Sequence, residues 1–409
     1  MGKLFIIVLA TFAALPLQAQ SARDEIFADL RKAGGQYFVY QGPQRPQTPA
    51  PKGYKPFYIS HFGRHGSRWN TADWVYTDLI ATFSKADSAS ALTPLGKEVF
   101  SKVQALWADA KGRIGELTPL GIEQHREVAG RMYESFPEAF KGEAKVSAAS
   151  TTSPRVMISM FAFCDELVRR NPDIRPEVSA SHRDEKFVAN RSRDSRIWQK
   201  SVRWQNGYDT FAEKHLHPER IVSTLFSDSS YVKENVDGRM VYNFLFDAAT
   251  ITQNCPDVAD IDLYGIFTKE ELYQQWLCHN YDLYTKSGPG SPALGDTLYR
   301  AALNMLRHII DTADKTIAEG GNGATLRFSH DSYLVPLATC MRLDGCGEQV
   351  DDEEKYCEAM VNFRICPMCA NIQVIFLRNR KGEVIVKFLL NERETRLCGA
   401  SPEPVSGPY

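Results

Sequence analysis

Three segments of the sequence share one pattern: a short β-prone run, a loop of small and polar residues, and then a helical stretch. The strands are predicted at 57–62, 145–149 and 324–328. Repeated alternation of strands and helices argues for an α/β sheet with helices on both faces. Ligands of such sheets bind beyond the carboxyl ends of the strands, so the three loops are predicted to converge at one edge.

Shorter signals predict further elements. The stretches 92–96 and 117–121 each place a threonine at the N-cap and a proline at the first helical position, which is typical of a helix start. Two β-prone runs, 372–377 and 383–390, flank a polar turn. They predict a β-hairpin that extends the sheet.

The N-terminus predicts export. Lys3 precedes an apolar run at 4–17, which is typical of a signal peptide spanning residues 1–19, with cleavage after Ala19. The run is too short and too poorly flanked for a membrane-spanning helix, and no comparable stretch follows. We therefore expect a periplasmic or secreted protein that does not contact the membrane once the leader is removed.

The chain is long enough for two domains, or for one domain with a large insertion. Between residues 179 and 293 the sequence becomes polar, aromatic and helix-prone, which predicts an inserted, mainly helical cap. The α/β core is then expected in two parts, 20–178 and 294–409. The end of the chain, from 399 onward, is rich in Pro, Gly and Ser and is predicted to be loose.

Composition limits the classes of function. A hydrophobic content of 43% and a charged content of 24% are those of a globular protein, and a net charge of -2 gives no sign of a nucleic-acid binder. Nine cysteines in an exported chain predict disulfides and one unpaired thiol. Cys366 and Cys369 have the spacing of half a zinc site or of a redox pair, but no second such motif accompanies them, which favours structural cysteines.

The first of the three loops places Arg64, His65 and Arg68 within five residues. Guanidinium groups bind phosphate oxygens through paired hydrogen bonds, and an imidazole can attack phosphorus. A glycine between them, Gly66, permits close approach of the backbone. Taken alone, this string is equally compatible with a solvated surface loop.

The other two loops add groups of matching chemistry. Arg155 follows the second strand, and His330 and Asp331 follow the third. Each of these residues is unremarkable by itself. A cation, an imidazole and a carboxyl at the same predicted edge as Arg64 and His65 favour a phosphate site.

These residues resemble the branch of histidine phosphatases that includes histidine acid phosphatases, phytases and multiple inositol polyphosphate phosphatases. Residues 64–68 match the family's RHGxRxP motif, with Asn70 in the place of the proline. The His-Asp pair at 330–331 is similar to a later motif, which phytases usually continue as HDxN, whereas Tyr333 stands here. The inositol polyphosphate group commonly carries His-Ala-Glu instead, so this chain mixes the two patterns, although its C-terminal strands look more like bacterial members of that group.

The resemblance implies a mixed sheet flanked by helices on both faces, with an inserted helical cap, and hydrolysis of phosphomonoesters through a phosphohistidine on His65. It implies that Asp331 protonates the leaving oxygen. The phosphate is expected to be held by four side chains: Arg64, Arg68, Arg155 and His330. No cofactor and no metal are expected, because the arginines supply the charge that a metal ion otherwise would.

The segment 182–203 bears on the substrate, because it carries seven basic side chains: Arg183, Lys186, Arg191, Arg193, Arg196, Lys200 and Arg203. A basic edge suits a polyanionic small molecule such as an inositol polyphosphate. A solvated helix with local ion pairs explains the same residues equally well.

Three alternatives to this hypothesis make different demands on the sequence. A sugar-phosphate or broad-specificity phosphatase stays open, because the sequence does not define the leaving group. An exported phosphate-binding protein without turnover would need no carboxyl beside His330, so Asp331 argues against it. A mutase of the related branch would show a different residue at Arg68 and no signal peptide.

Overall fold

The computed structural model describes residues 21–409 except Gln44, 190–192, 194–195, 198–199, 292–301, 400–403 and 405–406. The predicted signal peptide, residues 1–19, lies outside the described residues. Within the described part of the chain, no helix combines the length and the apolar character needed to cross a bilayer.

A seven-stranded mixed sheet forms the centre of the fold, in the order β3-β2-β4-β1-β5-β6-β7. The pairs β1–β4, β4–β2 and β2–β3 are parallel, and the pairs β1–β5, β5–β6 and β6–β7 are antiparallel. The strands are β1 Lys55–Arg64, β2 Lys145–Ser150, β3 Glu177–Ser179, β4 Gly323–Ser329, β5 Asn371–Arg378, β6 Val384–Leu390 and β7 Arg393–Thr395. The predicted α/β class and the mixed sheet are confirmed.

Apolar side chains cover both faces of this sheet. Tyr58 and Phe62 of β1 belong to one buried cluster, whereas Ile59, which points the other way, belongs to a second. Residues that alternate along a strand face opposite sides, so a central strand buried on both sides needs helices above and below it. The helices, numbered in chain order, are α1 Ala22–Ala28, α2 Trp74–Ser88, α3 Pro94–Ala110, α4 Pro119–Ser135, α5 Pro154–Arg170, α6 Glu185–Val188, α7 Val202–His215, α8 Glu219–Leu225, α9 Ser229–Asn235, α10 Gly238–Ile251, α11 Lys269–Lys286, α12 Leu303–Glu319, α13 Asp331–Cys340, α14 Tyr356–Ala359 and α15 Asn362–Ile365.

The predicted helix starts and the hairpin are confirmed. The Thr93 side chain accepts a hydrogen bond from the Gly96 amide at 2.9 Å, and Thr118 caps α4 in the same way. Strands β5 and β6 pair antiparallel as a hairpin. Because β5 also pairs with β1, the hairpin joins the sheet beside its central strand.

The described residues between β3 and β4 form helices α6 to α12 and short 3₁₀ turns. Leu245 of α10 and Trp276 of α11 share one buried apolar cluster with Phe83 of α2 and Val99 of α3. This segment therefore packs directly on helices that precede it in the chain. Its division from the core at residues 179 and 293 stays a prediction.

Two expectations differ from the structure. The tail is not loose at its last residue: Tyr409 is buried, its hydroxyl donates to the Thr48 carbonyl at 2.9 Å, and its ring lies 4.5 Å from the Lys387 ammonium. All nine cysteines are free thiols, so the expected disulfides are absent from this structure.

Candidate active site

Strands β2, β4 and β1 lie side by side in the sheet, and this order brings the three predicted loops together. Arg64 at the end of β1 is in register with Ser329 at the end of β4, and Ser150 at the end of β2 pairs with Phe328. Parallel strands that end in register place their following loops at one edge. The structure brings together all six predicted site residues at this edge: Arg64, His65, Arg68, Arg155, His330 and Asp331.

His65 lies at the centre of the site and is 2% exposed. Its Nδ1 is 2.9 Å from the Gly66 carbonyl oxygen. Because a carbonyl only accepts, Nδ1 carries the proton and Nε2 keeps its lone pair. Burial and the nearby Arg64, Arg68, His330 and Arg155 hold the pKa of His65 well below its usual range. Burial among these cations therefore favours the neutral form of the ring.

Gly66 is required by packing against α4. A Cβ built at this position would lie 2.4 Å from the Gly121 carbonyl oxygen. The close backbone approach that the sequence suggested is thus realised, and the partner is the first turn of α4. The 64–68 loop therefore packs directly against the start of α4.

Arg64 and Asp331 form an ion pair inside the site. Nη2 of Arg64 is 2.9 Å from Oδ2 of Asp331, and the Arg64 side chain is fully buried. Its Nη1 donates to the backbone carbonyls of Gln36 and Cys366. Burial alone would raise the pKa of Asp331, but Arg64, His330 and Arg68 outweigh burial and the pKa lies below its usual value. Asp331 is therefore a carboxylate.

His330 and Arg155 form the third side of the site. Nη2 of Arg155 is 3.4 Å from Nδ1 of His330, and the hydroxyl of Thr151 is 3.4 Å from its Nε2. The His330 and His65 ring centroids are 5.4 Å apart. Burial and Arg155 lower the pKa of His330 to about 4, although Asp331 acts in the opposite direction. His330 is neutral: its Nδ1 accepts from Arg155, and its Nε2 carries the proton and faces the Thr151 hydroxyl.

The guanidinium groups have unused hydrogen-bonding capacity. Arg68 donates from Nη1 to the Trp69 carbonyl and lies 5.3 Å from the Tyr37 ring. Its Nε and the Nε of Arg155 are buried and have no hydrogen-bond partner among the described residues. Burial, Arg68 and Arg64 lower the pKa of Arg155 to about 10. Buried donors and cations without counterions are costly unless an anion binds them.

The Cys-Pro-Met-Cys motif supports the 64–68 loop with its backbone. The Cys369 amide donates to the His65 carbonyl at 2.9 Å, and the Cys366 carbonyl accepts from Arg64. The two cysteines belong to different apolar clusters. The structural interpretation of these two cysteines stays a prediction.

The basic segment is described in part. Arg191 and the side chain of Arg203 lie outside the described residues, and five other basic side chains are exposed: Arg183, Lys186, Arg193, Arg196 and Lys200. The last residue of α6, Val188, accepts a hydrogen bond from the Ser329 hydroxyl. Because Ser329 immediately precedes His330, α6 lies beside the site.

Three buried polar residues of the site were not identified from the sequence: Ser67, Gln124 and Asn254. Gln124 accepts from the Ser67 amide at 2.9 Å and donates to the Ser67 hydroxyl at 2.9 Å. That hydroxyl donates to Asn254 at 2.7 Å. Gln124 follows a helix start that the sequence did mark, whereas nothing local distinguishes Asn254.

Fold and site together define an α/β protein with a cationic anion-binding site built around a neutral histidine. Residues 62–391 match the model of the histidine phosphatase superfamily, branch 2. Because this match covers most of the chain, the protein belongs to that superfamily, and phosphatase activity follows from its membership. A comparison with curated protein sequences returned no match.

Solved structures show the same fold. The Bifidobacterium longum multiple inositol polyphosphate phosphatase in complex with inositol hexasulfate has a TM-score of 0.78 at 16% identity, covering 92% of this chain and 95% of its own. The same enzyme in complex with phosphate has a TM-score of 0.68 at 17% identity, with the same coverage. The phytase from D. castellii has a TM-score of 0.61 at 16% identity, covering 98% of this chain and 85% of its own.

Proposed function

We propose that this protein is an exported histidine acid phosphatase that hydrolyses inositol polyphosphates through a phosphohistidine on His65. One observation carries the chemistry: the buried guanidinium groups of Arg64 and Arg68 and the half-buried one of Arg155 surround a neutral imidazole, and all three have buried Nε donors without a partner among the described residues. Of the six site residues, three are cations and Asp331 is the carboxylate. A phosphate dianion supplies the missing negative charge and accepts the free N–H groups.

In the first step, the lone pair on Nε2 of His65 forms a bond to phosphorus and the ester P–O bond breaks. The hydrogen bond from Nδ1 to Gly66 keeps Nε2 available for this attack. Arg64, Arg68 and Arg155 neutralise the negative charge of the phosphoryl oxygens while the attacking nitrogen and the leaving oxygen lie in line through phosphorus. His330 adds a donor from its Nε2.

Asp331 has to gain a proton before it can protonate the leaving oxygen. The ion pair with Arg64 favours its ionised form. A bound phosphate dianion offsets the charge of Arg64 and faces the carboxylate directly, and both effects raise the pKa of Asp331. Substrate binding thus prepares the acid, and the proton moves to the departing alkoxide oxygen.

In the second step, the Asp331 carboxylate takes a proton from water, and the water oxygen attacks phosphorus. The N–P bond breaks, its electron pair returns to Nε2 of His65, and inorganic phosphate leaves. The same carboxyl serves as acid and then as base, as microscopic reversibility allows.

The polyanionic substrate is supported by the position of α6. The hydrogen bond from Ser329 to Val188 holds the start of the basic segment next to His330, and exposed basic side chains follow from Arg183 onward. Clustered charges of one sign attract a polyanion and speed its association. The Bifidobacterium enzyme of similar fold is in complex with inositol hexasulfate, a polyanion that, like an inositol polyphosphate, carries several anionic ester groups on one inositol ring. Export is supported by the sequence of residues 1–19 alone.

The substrate is tested by comparing kcat/KM for inositol hexakisphosphate and for glucose 1-phosphate, with the product isomers followed over time. We expect the inositol ester to be preferred. The double variant Arg183→Glu, Lys186→Glu should raise KM for inositol hexakisphosphate by about 10-fold, since each reversal replaces attraction by repulsion, and it should leave nitrophenyl phosphate unaffected.

A matched control is Lys381→Glu, since Lys381 is exposed in the β5–β6 turn at the opposite edge of the sheet. Lys381→Glu should change KM neither for inositol hexakisphosphate nor for nitrophenyl phosphate. Preference for glucose 1-phosphate, with no effect of the charge reversals, would assign the protein to the sugar-phosphate alternative. Tight phosphate binding without turnover of any ester would assign it to the phosphate-binding alternative.

A further inference from the structure

Asn254 connects the inserted helical segment to the catalytic loop. It ends the 3₁₀ turn Thr252–Asn254 that follows α10, and it is fully buried. Its side chain reaches two segments far away in the sequence. Oδ1 accepts from the Ser67 hydroxyl at 2.7 Å, and Nδ2 donates to the Tyr37 carbonyl at 2.7 Å.

The direction of each hydrogen bond in this group is determined by its neighbours. The Ser67 amide donates to Oε1 of Gln124, so the Gln124 amide nitrogen faces the Ser67 hydroxyl and donates to it. A hydroxyl has one proton, and this proton is directed to Oδ1 of Asn254. The amide nitrogen of Asn254 then faces a carbonyl, which is the only orientation that satisfies both ends.

Both segments held by Asn254 carry groups that orient the arginines. Ser67 precedes Arg68 directly. Tyr37 lies against the Arg68 guanidinium at 5.3 Å, and the carbonyl of the preceding residue, Gln36, accepts from Arg64. The Asn254 side chain therefore holds in place the residue before Arg68, the aromatic ring beside Arg68 and the backbone segment whose carbonyl accepts from Arg64.

We infer that Asn254 is a positioning residue that orients Arg68 and Arg64 for phosphoryl transfer and makes their placement depend on the inserted segment. The inference rests on the proposed function of the site. A displacement of about 1 Å in a positioned group lowers a rate by as much as 10²-fold. Loss of this link should therefore reduce kcat at saturating substrate, beyond any loss of folded protein.

The test uses the full chain and nitrophenyl phosphate. Asn254→Ala removes both hydrogen bonds, and Asn254→Asp keeps the shape while placing a carboxylate against the Tyr37 carbonyl. We expect kcat to fall between 10-fold and 100-fold in both variants, with KM changing less. The rate of phosphoenzyme formation in a rapid-quench experiment should fall by the same factor.

The control is Gln275→Ala. Gln275 is a fully buried amide of α11 that donates to Asn243 at 3.0 Å within the same helical segment. It should lower the melting temperature about as much as Asn254→Ala while kcat per folded molecule stays that of the wild type. If Asn254→Ala does not fold, Asn254→Asp gives the measurement.

A double-mutant cycle completes the test. If Asn254 acts through Ser67, the pair Ser67→Ala, Asn254→Ala should lose no more kcat than the worse single variant. Losses that multiply, or a wild-type kcat in both Asn254 variants, would overturn the inference. Those outcomes are distinct from failure of the proposed function, in which the wild-type protein itself would form no phosphoenzyme.

Discussion

Replacing Asp331 by Asn removes both its ionisable proton and its negative charge, and two different measurements then separate its role as a proton donor from its role as the counterion of Arg64. The substitution keeps size and hydrogen bonding while removing the ionisable group. A positioned general acid contributes about 10²–10⁴-fold, so kcat on inositol hexakisphosphate or glucose 1-phosphate should fall by that amount. Nitrophenolate leaves without a proton, so the rate of phosphohistidine formation from nitrophenyl phosphate should fall by less than about 10-fold. The phosphoenzyme should then accumulate, since water activation is also impaired.

The ion pair between Asp331 and Arg64 allows a second, independent estimate: the effect of the same substitution on phosphate binding. Oδ2 of Asp331 is 2.9 Å from Nη2 of Arg64, so the carboxylate competes with phosphate for this guanidinium. At 4 Å and an effective dielectric constant of 20, one pair of unit charges is worth about 4 kcal/mol, and even a third of this value is a tenfold change in binding. Asp331→Asn should therefore lower the Ki for inorganic phosphate by about 10-fold or more.

These effects are measured by rapid quench with both substrates and by competitive inhibition. Asp314→Asn, an exposed carboxyl of α12, is the control and should behave as the wild type. Equal loss of phosphorylation on both substrates would refute the donor role. Full activity of Asp331→Asn on inositol phosphates would show that a different carboxyl donates the proton.

Three further predictions concern stability, packing and metals. Burial lowers the pKa of His61 and His125 to about 3, so the unfolded chain binds more protons than the folded one below pH 6.5. The free energy of unfolding, measured with urea, should therefore fall by about 2 kcal/mol per histidine between pH 7 and 5. An unchanged free energy of unfolding would contradict this. Gly66→Ala forces a Cβ against Gly121 and should lower stability by about 1–3 kcal/mol and abolish most of kcat. The control, Gly207→Ala within a helix, should be neutral or stabilising. A wild-type kcat in Gly66→Ala would refute the packing account. Activity should survive exhaustive EDTA treatment, because the arginines supply the cationic charge, and a loss of activity that zinc restores would contradict this.

Local signals in the sequence predicted much of the fold. Thr93 and Thr118 predict helix starts because N-capping depends on residues within one turn. The three strand-loop-helix segments were recognisable because the change from a two-residue to a 3.6-residue period is also local. Their convergence followed from a general property of parallel strands, and the adjacency of β2, β4 and β1 realises it.

Features that depend on distant contacts were missed. Asn254 lies 187 residues from Ser67, in a helical segment where one asparagine among many polar residues carries no signal. Tyr409 is held by Thr48 and Lys387, although its Pro- and Gly-rich surroundings predict a loose tail. The ionised state of Asp331 depends on its distance to Arg64, which no spacing along the chain predicts.

The central claim is that His65 carries the phosphoryl group. The most direct measurement is a rapid quench of the full chain with ³²P-labelled substrate at neutral pH, followed by proteolysis and mass spectrometry. The account predicts acid-labile, base-stable label on His65 in the wild type. His65→Ala should show no label and no turnover, while its circular dichroism spectrum shows that the fold is retained. Wild-type turnover in His65→Ala, or label on another residue, would contradict it.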